Sequence, residues 1–287
     1  MNYSVYWLKL KILDNMNLLS LILIIILILS IFQTIAGVGI LVLGTPILLL
    51  MGFQMVEIMT LLLPISMCNS LINLILLNID KKNIKIDWQI RNYFFLICLP
   101  GIAFGLFFLK NYSSFINFNL IVCFIIWLII FLTYINKKKN LNFVKNFKKS
   151  IILLTGFVHG VTNSGGSILS MLITESSSNK KVNYMRYQIT FFYFFLALFQ
   201  YLVIVFLFYS QDVFNFKVSY FFALLSGVML GNILSKKINE KQFKNIILFL
   251  AFLSSIFLLI KSWWFIDLKF FSMHSSNQSY INKFIKC

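Results

Sequence analysis

Residues able to do chemistry are scarce in this sequence, and most fall in two short stretches. The segment GFVHGVTNSGGSILSMLITES at 156–176 carries His159, Asn163, Ser164, Gly165, Gly166 and Ser167. The segment QTIAGVGILVLGTPILLLMGF at 33–53 carries Gly37, Gly39, Gly44, Thr45 and Pro46. Neither contains an interior carboxylate or cation, so what they offer is main-chain N–H groups, hydroxyls, amides and one imidazole. That is the chemistry of holding a small anion with neutral donors. Pro46 removes a backbone donor and suits the start of a second half-helix, Ile47 to Met51, whose free N–H groups carry partial positive charge. In the other stretch, Thr162 through Ser167 form a more polar break whose amides and hydroxyls could hold an oxyanion, as helix N-termini hold phosphate or carboxylate.

His159 lies four residues before Asn163, on the same helical face. An imidazole that changes charge near neutral pH suits a proton-coupled cycle, and the alternative is a hydrogen-bonded packing residue. Asn69 and Asn73 are likewise four apart, with Ser66 and Ser70 close by; they either line a path or link helices. Gln33, Gln188 and Gln200 are weaker candidates of the same kind. Cys68, Cys98, Cys123 and Cys287 show neither C-x-x-C pairing nor metal-ligand spacing and read as small apolar side chains. There is no H-E-x-x-H and no nucleotide-binding glycine loop. Ser164-Gly165 lacks a second histidine within the apolar runs, because His274 is in the tail. The expectation is a protein that is not an enzyme and needs no cofactor or metal.

The elements that must position these residues are set by the solvent. The chain has 287 residues, 60% hydrophobic and 11% charged, with mean hydropathy +0.89, far from the roughly 25% charged residues of a soluble domain. A bilayer core takes about 20 apolar residues per helix. Apolar runs recur at Leu18–Ile35, Ile47–Met51, Ile58–Ile79, Tyr93–Leu109, Phe115–Ile135, Ile151–Ile173, Tyr187–Tyr209, Phe216–Leu234 and Phe243–Ile260. Counting Leu18–Met51 as one broken element leaves eight. The formal charge of +17 comes from residues between these runs, which places them near anionic headgroups and argues against a nucleic-acid partner.

A Lys-rich stretch at 136–150 divides the chain. Each half opens with a glycine-interrupted helix, a repeat at a spacing of about 125 residues, and Gly101 and Gly105 match Gly227 and Gly231. Small residues four apart let helix backbones approach closely, so these pairs read as packing faces. The expected fold is all-α: a polytopic membrane protein of about eight transmembrane elements in two four-element repeats, the opening element of each broken or re-entrant. The expected divisions are an N-terminal segment 1–17, a first repeat 18–135, a linker 136–150, a second repeat 151–261 and an interfacial tail 262–287. If the opening elements re-enter, seventeen of the Lys and Arg residues before the tail fall on one side and four on the other, which favours re-entrance with a cytoplasmic central loop.

Gly37-Val38-Gly39 through Pro46 resembles the glycine-rich opening motif of the TauE/SafE family of sulfite-exporter-like permeases. Asn163-Ser164-Gly165-Gly166-Ser167 looks like that family's second glycine cluster, and Gly227 through Gly231 with Lys236 and Lys237 is similar to its closing region. Ile40, Leu41 and Met171 depart from the pattern. The resemblance implies a cofactor-free secondary transporter of small anions, often sulfite, sulfonates or related organosulfur compounds. Its substrate-binding residues would be Gly37, Gly39, Thr45, Pro46, Asn69, Asn73, His159, Asn163, Ser164, Gly165, Gly166 and Ser167, with alternating access between the repeats in the cell membrane. The expected partners are the bilayer and a small-anion substrate, with protons as a candidate coupling ion and a homodimer as a candidate assembly. The alternatives are a non-transporting scaffold or assembly protein, and an anion channel.

Overall fold

A computed structural model describes residues 3–80, 86–112, 117–139, 147–177, 180–208, 217–260 and 262. The described residues form helices and no strands. They are α1 (Tyr3–Ala36), α2 (Ile40–Leu50), α3 (Met55–Asp80), α4 (Trp88–Tyr112), α5 (Phe118–Lys139), α6 (Lys148–Thr162), α7 (Gly165–Ser176), α8 (Val182–Phe208), α9 (Val218–Ser235) and α10 (Glu240–Ile260). The expected aromatic tail from Trp263, with His274 and Cys287, lies outside the described residues.

Six helices among the described residues are long and apolar enough to cross a bilayer: Leu18–Ala36 within α1, Met55–Asn78 within α3, α4, Val182–Leu207 within α8, α9 and α10. Large apolar side chains cover the exterior, with Leu96 74% and Phe206 85% exposed. A surface of that kind needs hydrocarbon around it. The chain is thus an all-helical, multi-pass membrane protein.

Short polar residues fix several helix starts. Asp87 caps α4, its carboxylate accepting from the Gln89 and Ile90 N–H groups at 2.9 and 3.0 Å. At the start of α10, Asn239 and Gln242 exchange side-chain and main-chain hydrogen bonds in a capping box (2.9 and 3.0 Å).

The first apolar stretch is organised differently from the sequence expectation. Pro46 does not begin a half-helix; it lies inside α2, which starts at Ile40, and Gly44 and Thr45 are helical. A proline within a helix leaves the carbonyl four residues earlier without its donor. Here that carbonyl is Val42, and the Ser254 hydroxyl of α10 donates to it at 2.8 Å. The interruption is therefore confined to 37–39. The second break also narrows, to Asn163 and Ser164, because Gly165, Gly166 and Ser167 form the first turn of α7.

Both breaks reverse the chain. Ten residues along a straight helix would separate Thr155 from Gly165 by about 15 Å. Instead, a methyl group added at Gly165 would run into the Thr155 carbonyl and the His159 side chain. In the first pair, Gly39 lies against Gln33 and Gly44 against Leu29, so advancing along α2 means retreating along α1. Residues α1–α2 and α6–α7 are thus two helical hairpins. Their tips turn through left-handed backbone at Gly37 (φ 81°) and Asn163 (φ 61°). Glycine adopts this conformation freely, and asparagine is among the few other residues that tolerate it.

The matched glycine pairs are packing faces, and they pack reciprocally. Gly101 and Gly105 of α4 lie on Leu153, Gly156, Phe157 and Gly160 of α6, while Gly227 and Gly231 of α9 lie on Leu27, Ser30, Ile31 and Thr34 of α1. Each glycine helix therefore supports the opposite hairpin. At one end of the bundle, Lys148 reaches Gln89 (3.5 Å), and the Asp87 N–H donates to Gln188 (3.2 Å). At the other end, Lys110 donates to the Leu207 carbonyl (2.9 Å).

Candidate functional site

The tip of the second hairpin meets the middle of α2 inside the bundle. The Asn163 amide, at the tip of α6–α7, donates through Nδ2 to Oγ1 of Thr45 on α2 at 2.9 Å, and both side chains are fully buried. One turn away, Val42 of α2 touches Gly166 of α7. Helix α8 closes over both tips. Its Tyr193 ring covers Gly166, its Ile189 and Thr190 lie on Gly37, and the Tyr193 hydroxyl accepts from the Leu41 N–H at 3.1 Å. Gly37, Gly39, Thr45, Asn163, Ser164, Gly165, Gly166 and Ser167 are therefore brought to one place, with His159 beside them.

The two tips are satisfied differently. At the first, Gln33 of α1 uses its whole side-chain amide: Oε1 accepts from the Ile40 N–H (3.1 Å) and the Ser66 hydroxyl (3.3 Å), while Nε2 donates to the Ser66 carbonyl and the Ser70 hydroxyl (both 3.0 Å). Together with Tyr193 it caps the start of α2. At the second, Ser164 is the N-cap of α7 but makes no capping bond; its hydroxyl turns back to the Thr162 carbonyl (3.3 Å). Ser167 donates its hydroxyl to the Ser164 carbonyl (2.6 Å). His159 is fully buried, its ring 6.3 Å from that of Tyr193, and neither ring nitrogen has a hydrogen-bond partner although the Asn163 main chain is adjacent. Asn163 Oδ1 and Gln200 Oε1 are buried and unpartnered as well. Gln200 is held in place by donating Nε2 to the His159 carbonyl at 3.0 Å.

Pro46 follows Thr45 in α2, and the pair Asn69 and Asn73 lies on α3. The asparagines face α1, Asn69 donating to the Ser30 carbonyl (3.4 Å) and Asn73 to Thr34 Oγ1 (3.1 Å) and Asn69 Oδ1 (2.6 Å). They join helices, one of the two roles their spacing allowed. Tyr193 and Gln200 carry more of the centre than the sequence reading gave them. An aromatic hydroxyl in an aromatic-rich helix leaves no spacing signal, whereas Gln200 did stand out as a lone amide in an apolar run. Among the described residues, the buried charged side chain is Arg186, which donates to Asn183 Oδ1 (3.4 Å) two turns before Tyr193. No group of three or more potential metal ligands occurs among the described residues. A cavity of about 600 Å³ lies elsewhere, lined by Leu96, Pro100, Phe104, Leu153 and Phe157 on the outer face of α4 and α6. Its lining is apolar, so it belongs to the lipid-facing surface.

The family profile described as sulfite exporter TauE/SafE matches residues 22–258, which include every helix of this centre. The chain belongs to the TauE/SafE family. Neither a curated protein nor a solved structure gives a significant match to it. Membership in TauE/SafE makes the chain a member of a membrane transporter family, not an enzyme family, and the match begins within α1 and ends within α10. Both TauE/SafE hairpins, and the glycine helices that support them, are thus inside the shared segment.

Proposed function

We propose that this protein is a secondary transporter of a small anion of the sulfite, sulfonate or organosulfur class, working by alternating access in the cell membrane. The observation that carries the reading is the contact between the second hairpin's tip, at Asn163, and Thr45 in the middle of the first hairpin's α2, beside buried polar atoms without partners. Each such atom costs about 1–3 kcal/mol, and non-helical backbone at membrane depth persists only where it is packed in protein or lines a polar path. A polar solute that passes between the hairpins accounts for both.

A duplicated architecture supports this reading. One offset of about 126 residues relates Gly37 to Asn163, Gly39 to Gly165, Gly101 to Gly227 and Gly105 to Gly231. The element order, a hairpin followed by three helices, occurs twice. If each hairpin re-enters without crossing, each half crosses three times and the halves are inverted repeats, the arrangement in which substrate sites lie at the repeat interface. The end-to-end contacts agree with elements that return to their own side: α8 begins beside Asp87 and ends beside Lys110, whereas opening elements that crossed once would put those partners on opposite sides. The end that holds Gln89, Arg91 and the central lysines is then cytoplasmic. Opening the site requires the Thr45–Asn163 contact to part, by rocking of one repeat against the other.

Reconstitution into liposomes with a panel of sulfite, thiosulfate, alkanesulfonates and carboxylates tests the proposal. Saturable flux of at least one organosulfur or sulfur oxyanion is expected. Background flux for the whole panel, from protein shown to be folded, would remove the carrier reading and leave a scaffold role.

A further inference from the structure

Gln33 and His159 occupy corresponding positions in the two hairpins, each seven residues before the third residue beyond its tip, Ile40 and Gly166. Their surroundings correspond as well. Gln33 sits on the last turn of α1 and His159 on the last turn of α6, and each side chain is fully buried. Their hydrogen bonding does not correspond. Gln33 accepts from the Ile40 N–H and closes the start of α2 from within, with the Tyr193 hydroxyl closing the next amide. At the start of α7 no side chain of the described residues accepts from Gly165 or Gly166, the N-cap serine is turned away, and the His159 ring is unpartnered.

Free N–H groups at the start of a twelve-residue helix attract negative charge. Here a fully buried ring, whose nitrogens have no side-chain partner and the Asn163 main chain as their neighbour, stands beside them, and the Asn163 amide adds two further groups whose oxygen and nitrogen ends can exchange. We infer that the anion site is one-sided: an oxyanion binds at the first turn of α7 against the His159 ring and takes the place that the Gln33 oxygen fills in the other hairpin. The inference rests on the transporter reading for its ligand, but the capping asymmetry stands without it. It makes the first hairpin a self-capped support and the second the binding element. Because no fixed cation lies at this turn among the described residues, the ligand is a small oxyanion of low charge, since the cost of desolvating an ion rises steeply with its charge.

The test replaces His159 with the residue used at the corresponding position. In His159→Gln, the new amide oxygen should accept from the Gly166 N–H as Gln33 accepts from Ile40. Without ligand, this variant should therefore melt higher than His159→Ala. Equal or lower melting of His159→Gln would overturn the inference. With sulfite as the probe, wild-type protein in detergent should show a concentration-dependent rise in melting temperature, and His159→Gln should need at least about tenfold more sulfite for the same rise, as expected when a charge-assisted contact is replaced by an internal one. A second variant, Asn163→Asp, puts a carboxylate beside the same amides and should lose the response too. An undiminished sulfite response in both variants would overturn the inference, as would a wild-type protein that transports sulfite but shows no rise. Absence of transport by the wild type would instead defeat the transporter reading, and the ligand-free comparison of His159→Gln with His159→Ala would still decide the capping claim.

Discussion

Asn163 Nδ2 donates to Thr45 Oγ1 across the centre of the bundle, at 2.9 Å, and so joins residues 118 positions apart in the chain. It links the tip of the second hairpin to the middle of α2 in the first, and both side chains are buried. Replacing Thr45 with Val keeps the shape and deletes the acceptor. A buried amide left without its partner should cost about 1–3 kcal/mol. Thermal or denaturant unfolding in detergent should show Thr45→Val destabilised and Thr45→Ser closer to wild type.

The proline in α2 offers a test of local hydrogen bonding. Ser254→Ala removes the donor to the Val42 carbonyl and should destabilise by about 1–2 kcal/mol. In a Pro46→Ala background, the new N–H at position 46 can donate to that carbonyl, so the same serine change should cost less. A double-mutant cycle measures the coupling, which should be about 1 kcal/mol in the direction of rescue.

The glycine seams predict a graded response. A methyl at Gly105 would lie 2.5 Å from the Phe157 carbonyl oxygen, whereas one at Gly101 would lie 3.3 Å from its nearest neighbours. Gly105→Ala must force α4 and α6 apart and should cost about 1–3 kcal/mol, with Gly101→Ala clearly milder. Gly227→Ala should resemble Gly105→Ala, since its methyl would meet the Leu27 carbonyl oxygen at 2.6 Å. The yield of monodisperse protein, followed by melting temperature, ranks the three.

Topology is open to labelling. In a cysteine-free background, single cysteines at Gln89, Lys148 and Lys181 should react with an impermeant thiol reagent from one side of the membrane, and those at Lys110 and Lys217 from the other. A second opening element that crossed the bilayer once would instead put Lys181 on the side opposite Lys148.

Much of this arrangement was legible in the residues. Long Leu, Ile and Phe runs must become spans because lipid cannot satisfy a bare backbone, and glycines four apart announced the seams that α4 and α9 form. The matched interruptions pointed to Gly37 and Asn163. What the sequence hid depends on distant partners. A proline at a helix start and one inside a helix look alike in sequence, and the Ser254 hydroxyl that permits the second case is 212 positions away. The capping of α2 by Tyr193 spans 152 positions. Residues Leu18–Ala36 are long enough to span, so length alone could not separate a crossing from a hairpin; the reversal is seen only in the packing of Gly39 and Gly44 on α1.

The same packing revises a natural mutational test. Gly165→Leu and Gly166→Leu would drive side chains into the Thr155 carbonyl and the Tyr193 ring. Such variants should fail as folded hairpins, so their loss of flux would say little about the anion. Substitutions at His159, Thr45 and Asn163 probe the site with less damage to the backbone around it.

The central claim is that the two hairpins separate at Thr45 and Asn163 to pass an anion, and tying them together there tests it most directly. A Thr45→Cys, Asn163→Cys pair in a cysteine-free background, reconstituted in liposomes and closed with a short reducible cross-linker, should lose its anion flux and regain it on reduction. Each single-cysteine variant should be unaffected by the same treatment. Flux that continues unchanged with the hairpins covalently joined would contradict the account.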